Sequence, residues 1–424
     1  MLDIQKIREN SDWVRLGIEN KNASVDIDKI LDLDQTRRDV ISQVETLKHE
    51  RNVVSREVAS RKKNKEDAQD LIERTRDIGK QIKVLDDQQR DVEEKIYDLL
   101  IQLPNTPHDS VPVGQDASEN PVVKEWGNRF NPDFDLKTHL DLGSSLNLFD
   151  FNRGTKIAGP GFPLYTGVGA RLERALINFM LDFHVDKHGY TEVLPPVLSN
   201  KKTMTTTGQL PKFEEDMYKI PQDDLYLIPT AEVPVTNIHQ NEILPEQELP
   251  ISYCAYSSCF RREAGSYGKD TRGFLRLHQF NKVEMVKFVH PDSSYDELEA
   301  LRRDAEEILE ALGLEYRVIE LVTGDLSFAA AKCYDLELWA PGEERWLEVS
   351  SCSNFEDFQA RRGAIRFKPQ NGGKVQLLHT LNGSGVATPR LLVALLETYQ
   401  QADGSVLLPE VLAPYMGSAG LHLK

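Results

Sequence analysis

The stretch Cys259–Phe288 reads CFRREAGSYGKDTRGFLRLHQFNKVEMVKF. The segment that enters it, Ile251–Arg262, is rich in Tyr, Cys, Ser and Phe, which favours a β-strand. Ala264–Gly273 is rich in Gly and small polar residues, which predicts a mobile loop. Phe274–Val289 then returns as a long strand with alternating side chains. The stretch therefore predicts a β-hairpin around a glycine-rich loop.

The returning strand has one unusual face. At a period of two it places cations, an aromatic ring and a carboxylate side by side, in Arg276, His278, Phe280, Lys282 and Glu284. The opposite face carries Leu275, Leu277, Gln279 and Val283. We interpret the hairpin as a site for a polyanion, because a purely structural strand rarely presents such a set. A solvated sheet face with ordinary ion pairs is the alternative.

The bulk properties are those expected of a soluble protein. The 424 residues suffice for two or three domains, and no run of about 18 uninterrupted apolar residues predicts a membrane span. The start, MLDIQKIRENSDW, lacks the apolar region of a signal peptide, so a cytoplasmic protein is expected. The net charge of −17 argues against a generally basic nucleic-acid binder. No zinc site or disulfide is expected, because no CxxC motif occurs among Cys254, Cys259, Cys333 and Cys352.

Residues 27–103 differ in kind from the rest of the chain. They contain one glycine, Gly79, and no proline, and their apolar residues follow a heptad rhythm on both sides of the polar run Arg61–Asp67. This pattern predicts an antiparallel coiled-coil hairpin of two helices of about 30 residues, reaching roughly 45–50 Å. We call this hairpin the arm.

The far end of the arm is basic. Between Lys48 and Lys65 there are seven cations and two anions, a net charge of +5 on a protein whose total is −17. Such a patch is a candidate contact for nucleic acid, with Arg51, Arg56 and Arg61 as candidate residues. The alternative is a solvated charged coiled coil.

The rest of the chain divides into two parts. Residues 104–135 are rich in proline and predict a linker with extended pieces. From residue 136 to residue 424 the pattern is that of a mixed α/β domain. Within it, an amphipathic helix over Ala170–His188 and a strand over Tyr190–Val197 form either a dimer interface or an internal unit.

Two short segments of this domain carry polar groups in constrained places. Thr230-Ala231-Glu232 lies between two prolines, and its hydroxyl and carboxylate suit an amino group, although a capping turn is equally consistent. Residues 334–339 and 346–351 predict adjacent strands. Simple alternation places Glu348 and Ser350 on one face and Val349 and Ser351 on the other, unless a bulge intervenes.

The last motif is LNGSGVATPRLLVALLETY, residues 381–399. Gly383-Ser384-Gly385 predicts a turn that permits close approach of the backbone. A helix is predicted from about Thr388, with Pro389 in its first turn and Arg390 just inside it.

Through these motifs, the whole chain closely resembles the seryl-tRNA synthetase family of the bacterial type. The first class II signature is the helix 170–188 with YTEVLPP. The second is FRREAGSYGKDTRGFLRLHQFNKVE, which is close to the family pattern FRxEAGSxGxDTRGxxRxHQFxKVE, and the third is NGSG with the following Arg and ALLE. GQLPKFEED, TAEVP, TGDLSFAAAKCYDLE and EVSSCSNFEDFQARR are also family-like. The departures are Arg262, Lys269 and Pro389, and none removes a group that the chemistry needs.

The resemblance implies a fold, a reaction and partners. The fold is α+β, with a class II synthetase-like, mostly antiparallel sheet flanked by helices, a tRNA-binding N-terminal domain over 1–103 and a catalytic domain over 136–424. The reaction joins L-serine to ATP as seryl-adenylate and transfers serine to the 3′ end of tRNA(Ser), and also of tRNA(Sec). Mg²⁺ accompanies ATP, and the protein is a homodimer that serves protein biosynthesis.

The chemistry of serine activation explains the residue types. The serine carboxylate is already ionised, so the site must neutralise phosphate charge and position the reactants rather than supply a base. The resemblance implies that Arg261 contacts the α-phosphate and Arg390 the γ-phosphate, and that Glu284 acts with them as a catalytic residue. It implies Glu348 and Ser351 as the Mg²⁺-associated pair. The full set implied for ATP is Arg261, Arg262, Glu263, Leu277, His278, Gln279, Phe280, Glu348, Val349, Ser350, Ser351 and Arg390.

Serine recognition needs a partner for the ammonium and a buried partner for the hydroxyl. A site that hydrogen-bonds a substrate hydroxyl rejects the analogue without it, because its own polar groups would be left unpaired. Glu284 is the first choice for this role. The residues that resemble the family's serine contacts are Thr230, Ala231, Glu232, Arg261, Glu284, Asn382 and Ser384.

Two other functions stay open from the sequence. A serine-activating amino-acid:carrier-protein ligase would share the catalytic domain but is expected to lack the arm, which this chain has. A catalytically silent coiled-coil scaffold would need the loss of Arg261, Glu284 or Arg390, and all three are present.

Overall fold

The structure is a computed structural model, which describes residues 1–264 and 272–424. The predicted glycine-rich loop, 264–273, therefore lies for the most part outside the described residues. The described chain forms two compact units, one made of Met1–Glu19 with Ala23–Pro104 and the other of Asn20–Asn22 with Asn105–Lys424. None of the helices in the described ranges combines the length and the apolar character needed to cross a membrane.

The first unit is helical. Its helices are α1 (Ile4–Glu9), α2 (Ser11–Asn20), α3 (Ile27–Lys63) and α4 (Gln69–Leu100). α3 begins where the Asp26 carboxylate accepts a hydrogen bond from the Lys29 amide, which satisfies one of the free amides of the first turn. With 37 residues, α3 is about 55 Å long. The predicted coiled-coil hairpin is confirmed, and its turn lies at 64–68.

An apolar seam joins α3 to α4. The heptad positions that pack there are Val40, Val44, Leu47, Val54, Val58, Leu71, Ile78, Ile82 and Leu85. Arg37, which the heptad rhythm places on the seam, instead pairs with the buried carboxylate of Asp34 at 2.6 Å. Arg8 pairs with the same carboxylate at 2.7 Å, so a buried charge near the base of the arm is compensated.

The second unit combines helices with four sheets. Its helices are α5 (His139–Ser145), α6 (Phe151–Ala158), α7 (Gly167–Asp186), α8 (Lys201–Thr206), α9 (Glu232–Thr236), α10 (Ser294–Ala311), α11 (Phe358–Gly363), α12 (Thr388–Thr398) and α13 (Ala413–Met416). Its strands are β1 (Val122–Trp126), β2 (Thr191–Glu192), β3 (Leu198–Asn200), β4 (Lys219–Ile220), β5 (Leu225–Leu227), β6 (Ile243–Pro245), β7 (Ile251–Phe260), β8 (Gln279–Val289), β9 (Tyr316–Glu320), β10 (Lys332–Ala340), β11 (Arg345–Asn354), β12 (Arg366–Lys368), β13 (Gln376–Leu377), β14 (His379–Ala387), β15 (Val406–Leu407) and β16 (His422–Leu423).

One eight-stranded sheet dominates the unit, in the order β1-β9-β10-β11-β14-β8-β7-β2. Every neighbouring pair is antiparallel except β2 with β7, which is parallel. The apolar side chains of α7, α10 and α12 form the main core with one face of the sheet. A smaller core on other residues of β8, including Val286 and Phe288, covers part of the opposite face. The predicted mostly antiparallel sheet with flanking helices is confirmed.

Residues 104–135, which the sequence predicts as a linker, are built into this unit. The Asn105 amide donates to the Phe328 carbonyl at 2.9 Å, and β1 pairs with β9 at the edge of the large sheet. The prolines therefore interrupt regular secondary structure within the segment, but the segment remains part of the domain.

Three predicted strands are shorter than expected. The strand predicted over Phe274–Val289 begins only at Gln279, because Phe274 is buried against the rings of Phe149 and Phe151 instead of entering the ladder. The strand predicted over Ile251–Arg262 ends at Phe260. The strand predicted over Tyr190–Val197 is limited to β2, since Pro195 and Pro196 have no amide to donate.

Candidate active site

Two adjoining cavities lie beside the β7–β8 hairpin. The first has a volume of about 250 Å³, and the second of about 260 Å³. Residues shared by both cavities form the boundary between them, and they are Arg261, Lys282, Glu348, Ser351 and Ser384. The boundary therefore brings together cations, a carboxylate and hydroxyls from four separate segments of the chain.

The first cavity is rich in arginine. The Arg261 guanidinium, just past the end of β7, lies 5.1 Å from the ring centre of Phe280 on β8. Arg390, in the first turn of α12, donates from Nη1 to the Glu348 carbonyl at 2.8 Å and from Nε to the Leu275 carbonyl at 3.3 Å. These two bonds fix its guanidinium at the cavity wall. The cavity can thus hold a flat ring near Phe280 and negative charge near the two arginines.

Glu263 also lines the first cavity. Its carboxylate forms an ion pair with Arg276, which lies in the segment between the glycine-rich loop and β8. The pair holds the carboxylate at the wall of the cavity that Phe280 also lines, where it can accept hydrogen bonds from a ligand.

The second cavity is acidic. Glu284 on β8 is fully buried, and its carboxylate receives hydrogen bonds from the Thr230 hydroxyl at 2.5 Å and from the Asn382 amide at 3.1 Å. Lys282 forms an ion pair with it at 2.5 Å. Glu232 is also buried, and it accepts a hydrogen bond from Gln359 at 2.7 Å. Lys282 and Arg261 are the cations that line this cavity together with Glu232.

Burial changes the titration of Glu232. Removal of its carboxyl from water, together with the nearby Glu284 carboxylate, raises the pKa of Glu232 to about 7. The hydrogen bond from Gln359 acts in the opposite direction. This carboxyl is therefore partly protonated at neutral pH.

A bulge in β11 decides which side chains reach the cavities. Leu336 on β10 lies opposite Ser350, but the next residue, Glu337, lies opposite Glu348, so Val349 is an extra residue in the strand. The shift brings Glu348 and Ser351 to the same side, and both line the cavities. The prediction from simple alternation is wrong here, and the bulge that it allowed for is present.

Gly383-Ser384-Gly385 lies within β14 rather than in the predicted turn. Ser384 lies opposite Glu284 in the antiparallel ladder, which places its side chain at the cavity boundary. A Cβ atom on Gly383 would lie 2.9 Å from the Cys352 sulfur, so the close approach predicted for this motif does exist. The predicted helix start at Thr388, with Pro389 in its first turn, is confirmed.

Several residues predicted for the site line neither cavity. Arg262 is exposed, and its amide donates to the Asp216 carbonyl at 2.9 Å. The His278 ring stacks on Phe162 with a centre-to-centre distance of 5.4 Å. The others are Ala231, which is fully buried, Gln279, which is exposed, Ser350, whose hydroxyl donates to the Ser384 carbonyl at 2.6 Å, and Glu284, which is fully buried and reaches the second cavity only through its hydrogen bonds with Thr230 and Asn382. Direct ligand contacts of these six side chains stay predictions.

Other lining residues were not predicted as site residues. Lys282 and Arg276 were visible on the unusual strand face, and a charge count around Glu284 would have found Lys282. The second cavity is also lined by Gln209, Phe213, Phe328, Ser353 and Phe355. Most of these belong to family-like runs of sequence, but no local pattern assigns them a role.

The pair Glu348 and Ser351 fits a hard divalent cation. The Glu348 side chain is half exposed to the cavity, and Ser351 contributes a hydroxyl at the same boundary. Carboxylate and hydroxyl oxygens suit Mg²⁺, which retains several waters and phosphate oxygens as its other ligands.

Comparison with known proteins matches this geometry to a family. Residues 1–107 match the family model "Seryl-tRNA synthetase N-terminal domain", and residues 213–399 match "tRNA synthetase class II core domain (G, H, P, S and T)". The serine--tRNA ligase of Thermodesulfovibrio yellowstonii is 54% identical over 420 residues, which cover 98% of this chain and 99% of the relative. The chain belongs to the seryl-tRNA synthetase family.

Two solved seryl-tRNA synthetases share the whole architecture. The enzyme of Pyrococcus horikoshii, complexed with ATP, has a TM-score of 0.93 at 37% identity, with 100% of this chain and 99% of that chain covered. The cytoplasmic enzyme of Naegleria fowleri, in complex with AMP, has a TM-score of 0.89 at 32% identity, again with 100% and 99% covered. The chain is thus an aminoacyl-tRNA ligase of class II, and the carrier-protein alternative is not favoured.

Proposed function

We propose that the two adjoining cavities perform serine activation, the first holding ATP and the second holding L-serine. The observation that carries this assignment is their shared boundary, where Arg261, Lys282 and Ser384 lie between an arginine-rich cavity and an acidic one. The serine carboxylate and the α-phosphate must meet at such a boundary. The product is seryl-adenylate, and pyrophosphate leaves from the arginine-rich side.

The first step requires charge neutralisation in a fixed geometry. Arg261 stands at the boundary, where it can bind the α-phosphate and the developing charge on its oxygens. Arg390 lies on the first-cavity side alone, where it can bind the γ-phosphate. Phe280 offers its ring face to adenine, and Glu263 can accept from the adenine amino group. No residue has to remove a proton from the ionised serine carboxylate.

The acidic cavity fits serine by charge and by hydrogen bonding. Glu232 lines the cavity, and its carboxyl can pair with the serine ammonium once it is deprotonated. Thr230 and Ser384 line the space with hydroxyls that can bond the substrate hydroxyl, and the buried Glu284 accepts the hydrogen bond of Thr230. Alanine would leave these groups unpaired, which supports discrimination in favour of serine.

Mg²⁺ belongs to the proposal through its fit to Glu348 and Ser351. When bound, it supplies positive charge to the phosphate oxygens of ATP. The chain's own contribution is to present both oxygen ligands on one side of β11 by means of the bulge, and to hold Arg390 against the Glu348 backbone.

The second step transfers serine to transfer RNA. We propose that residues 1–103 bind tRNA(Ser) through the basic end of the arm, and that 136–424 catalyse both steps. Phosphate contacts by Arg51, Arg56 and Arg61 would read the shape of the RNA without reading its sequence. tRNA(Sec) is proposed as a second substrate, since shape recognition of this kind does not depend on the anticodon.

We further propose that the protein acts as a homodimer in the cytoplasm. The segment that follows the edge strand β2 exposes apolar side chains, of which Leu194 is 82% exposed and Val197 is 39% exposed. Such a patch beside an edge strand suits burial against a second copy of the chain.

The proposed function is tested by ATP–pyrophosphate exchange with single amino acids. Exchange that depends on serine, and that threonine and alanine do not support, is the expected result. Exchange with a different amino acid and none with serine would overturn the substrate assignment.

Serine binding should depend on pH through Glu232. Its pKa of about 7 means that below pH 7 the carboxyl must lose a proton before it can pair with the serine ammonium. The affinity for serine should therefore rise from pH 5.5 to about 7 and then level off. Calorimetric titration across this range measures the effect, and Glu232→Gln should bind serine more weakly with a flat profile. An equally steep rise in the variant would exclude Glu232 as the titrating group.

Two of the arm arginines, Arg56 and Arg61, should contribute unequally to tRNA binding. Arg61 already pairs with Asp70 at 3.2 Å and with Glu57 at 3.3 Å, whereas Arg56 is exposed. Arg56→Ala should weaken binding and reduce the slope of log affinity against log salt by about 0.9 for the lost phosphate contact, and Arg61→Ala should do less. Arg90→Ala, on the acidic part of α4, is the matched control. Salt slopes that are the same in all three variants and the wild type would favour the solvated coiled coil.

A further inference from the structure

A buried cluster outside both cavities connects three distant parts of the chain. His139, at the start of α5, has no exposed surface, and neither does Glu397 near the end of α12. His139 Nδ1 lies 3.1 Å from a Glu397 oxygen and 3.3 Å from an oxygen of Glu343, which follows β10. Neither the ATP cavity nor the serine cavity is lined by these side chains.

The other ring nitrogen of His139 faces the active-site hairpin. The Phe274 amide donates to His139 Nε2 at 3.4 Å. Because Nε2 accepts this hydrogen bond, Nδ1 carries the proton and donates to the Glu397 carboxylate. A Cβ atom on Gly273, whose φ is +60°, would lie 2.2 Å from Nε2, so the ring packs directly against the hairpin backbone.

The carboxylates of the cluster are themselves held in place. Glu397 accepts from the amides of His139 at 2.8 Å, Gly342 at 2.9 Å and Glu343 at 3.1 Å. Glu343 pairs with Arg272 at 3.0 Å. Nε2 of His139 and both oxygens of Glu397 are thus engaged in hydrogen bonds, so these two side chains form a hydrogen-bonded support for the segment after Gly273.

The segment that His139 holds forms part of one cavity only. Phe274, Leu275, Arg276 and Leu277 all line the ATP cavity, and none of them lines the serine cavity. The Leu275 carbonyl, one residue beyond the Phe274 amide, accepts the hydrogen bond from Arg390 Nε. A displacement of Phe274 would therefore move both the cavity wall and a support of the γ-phosphate arginine.

We propose that His139 is a positioning residue for ATP. Glu397 and Glu343 hold its ring in place, and the ring holds the Phe274–Leu277 wall of the ATP cavity. Because the Leu275 carbonyl in that wall accepts a hydrogen bond from Arg390, the ring also helps to position Arg390. The inference deepens the proposed function and rests on the assignment of the first cavity to ATP.

Substitutions of His139 can distinguish the contributions of its two ring nitrogens. His139→Asn places an amide donor near the position of Nδ1 and offers nothing at the position of Nε2, so it keeps the carboxylate contact and loses the Phe274 contact. His139→Gln is long enough to offer an acceptor to the Phe274 amide. We expect His139→Asn to raise the KM for ATP about 10-fold and to change the KM for serine less than about 2-fold. A small displacement of the ATP cavity wall weakens the positioning of ATP and leaves the serine cavity unchanged. His139→Gln should recover most of the loss.

The measurement is ATP–pyrophosphate exchange by the full-length variants, with each substrate varied in turn and thermal melting as a check of folding. His239→Ala is the matched control, since both nitrogens of that ring are also engaged, with Glu242 at 2.8 Å and Tyr253 at 3.1 Å, and it lines neither cavity. Equal changes in both KM values, or an unchanged KM for ATP in a folded His139→Asn protein, would overturn the inference. Absence of exchange in the wild type would instead overturn the proposed function.

Discussion

Replacement of Arg261 by alanine should reduce serine-dependent ATP–pyrophosphate exchange by about 10²- to 10³-fold in kcat/KM. Arg261 lies at the boundary of the two cavities, where we propose that the serine carboxylate and the α-phosphate meet. The substitution removes a positive charge that stabilises the negative charge developing in the transition state. Such stabilisation is the main requirement here, because the reaction needs no proton transfer from the serine carboxylate. Steady-state exchange with both substrates varied measures it.

The adjacent arginine supplies the control. Arg262 is exposed and lines neither cavity, so Arg262→Ala should change kcat/KM for exchange less than about 3-fold, as is usual for surface substitutions. The two variants differ by one position and carry the same change in net charge. Equal losses in both would show that bulk electrostatic attraction of ATP, and not placement at the boundary, explains the effect.

Removal of residues 35–95 should abolish charging of tRNA(Ser) and leave serine activation intact. These residues make up most of α3 and α4, and they contribute no lining residue to either cavity of the active site. The remaining chain retains the large sheet and its core, so exchange should stay within about 2-fold of the wild type, as expected when binding and chemistry reside on separate parts. The two activities are measured on the same preparation, by aminoacylation and by exchange.

A charge variant of the arm refines this experiment. A triple variant keeps the helices and removes three cations from the basic end, through the changes Arg51→Ala, Arg56→Ala and Arg61→Ala. Charging that falls mainly through the KM for tRNA would place the arm's contribution in phosphate contacts. Full charging by the protein without residues 35–95 would refute the tRNA-binding role of the arm.

The sequence predicts the fold where a pattern is long and regular. The heptad rhythm of 27–103 specifies α3 and α4 because each position repeats the same environment over many turns. The hairpin strands are less well predicted at their ends. Phe274 has the right spacing for the strand, but burial against Phe149 and Phe151 outweighs pairing in the ladder, and that contact joins residues more than 120 positions apart.

The sequence predicts the site residues through the resemblance more than through local rules. Arg261 lines both cavities, Arg390 and Phe280 line the first, and Glu284 is buried next to Thr230 of the second, while their roles stay predictions. The sequence missed the pairing of Lys282 with Glu284, and it placed His278 in the site although its ring packs on Phe162. Each of these outcomes depends on which segments meet in space, and spacing along one strand carries no information about that.

The extra residue in β11 has a consequence for how this protein can vary over generations. Substitution of Val349 by another apolar residue leaves the count of residues unchanged, so Glu348 and Ser351 stay on the same side. A one-residue deletion of Val349 would remove the bulge, and Glu348 and Ser351 would then lie two apart in a regular ladder, again on the same side. What must persist in lineages of this gene is therefore the pairing of Glu348 with Glu337 and of Ser351 with Asp335, whether one or two residues lie between Glu348 and Ser351.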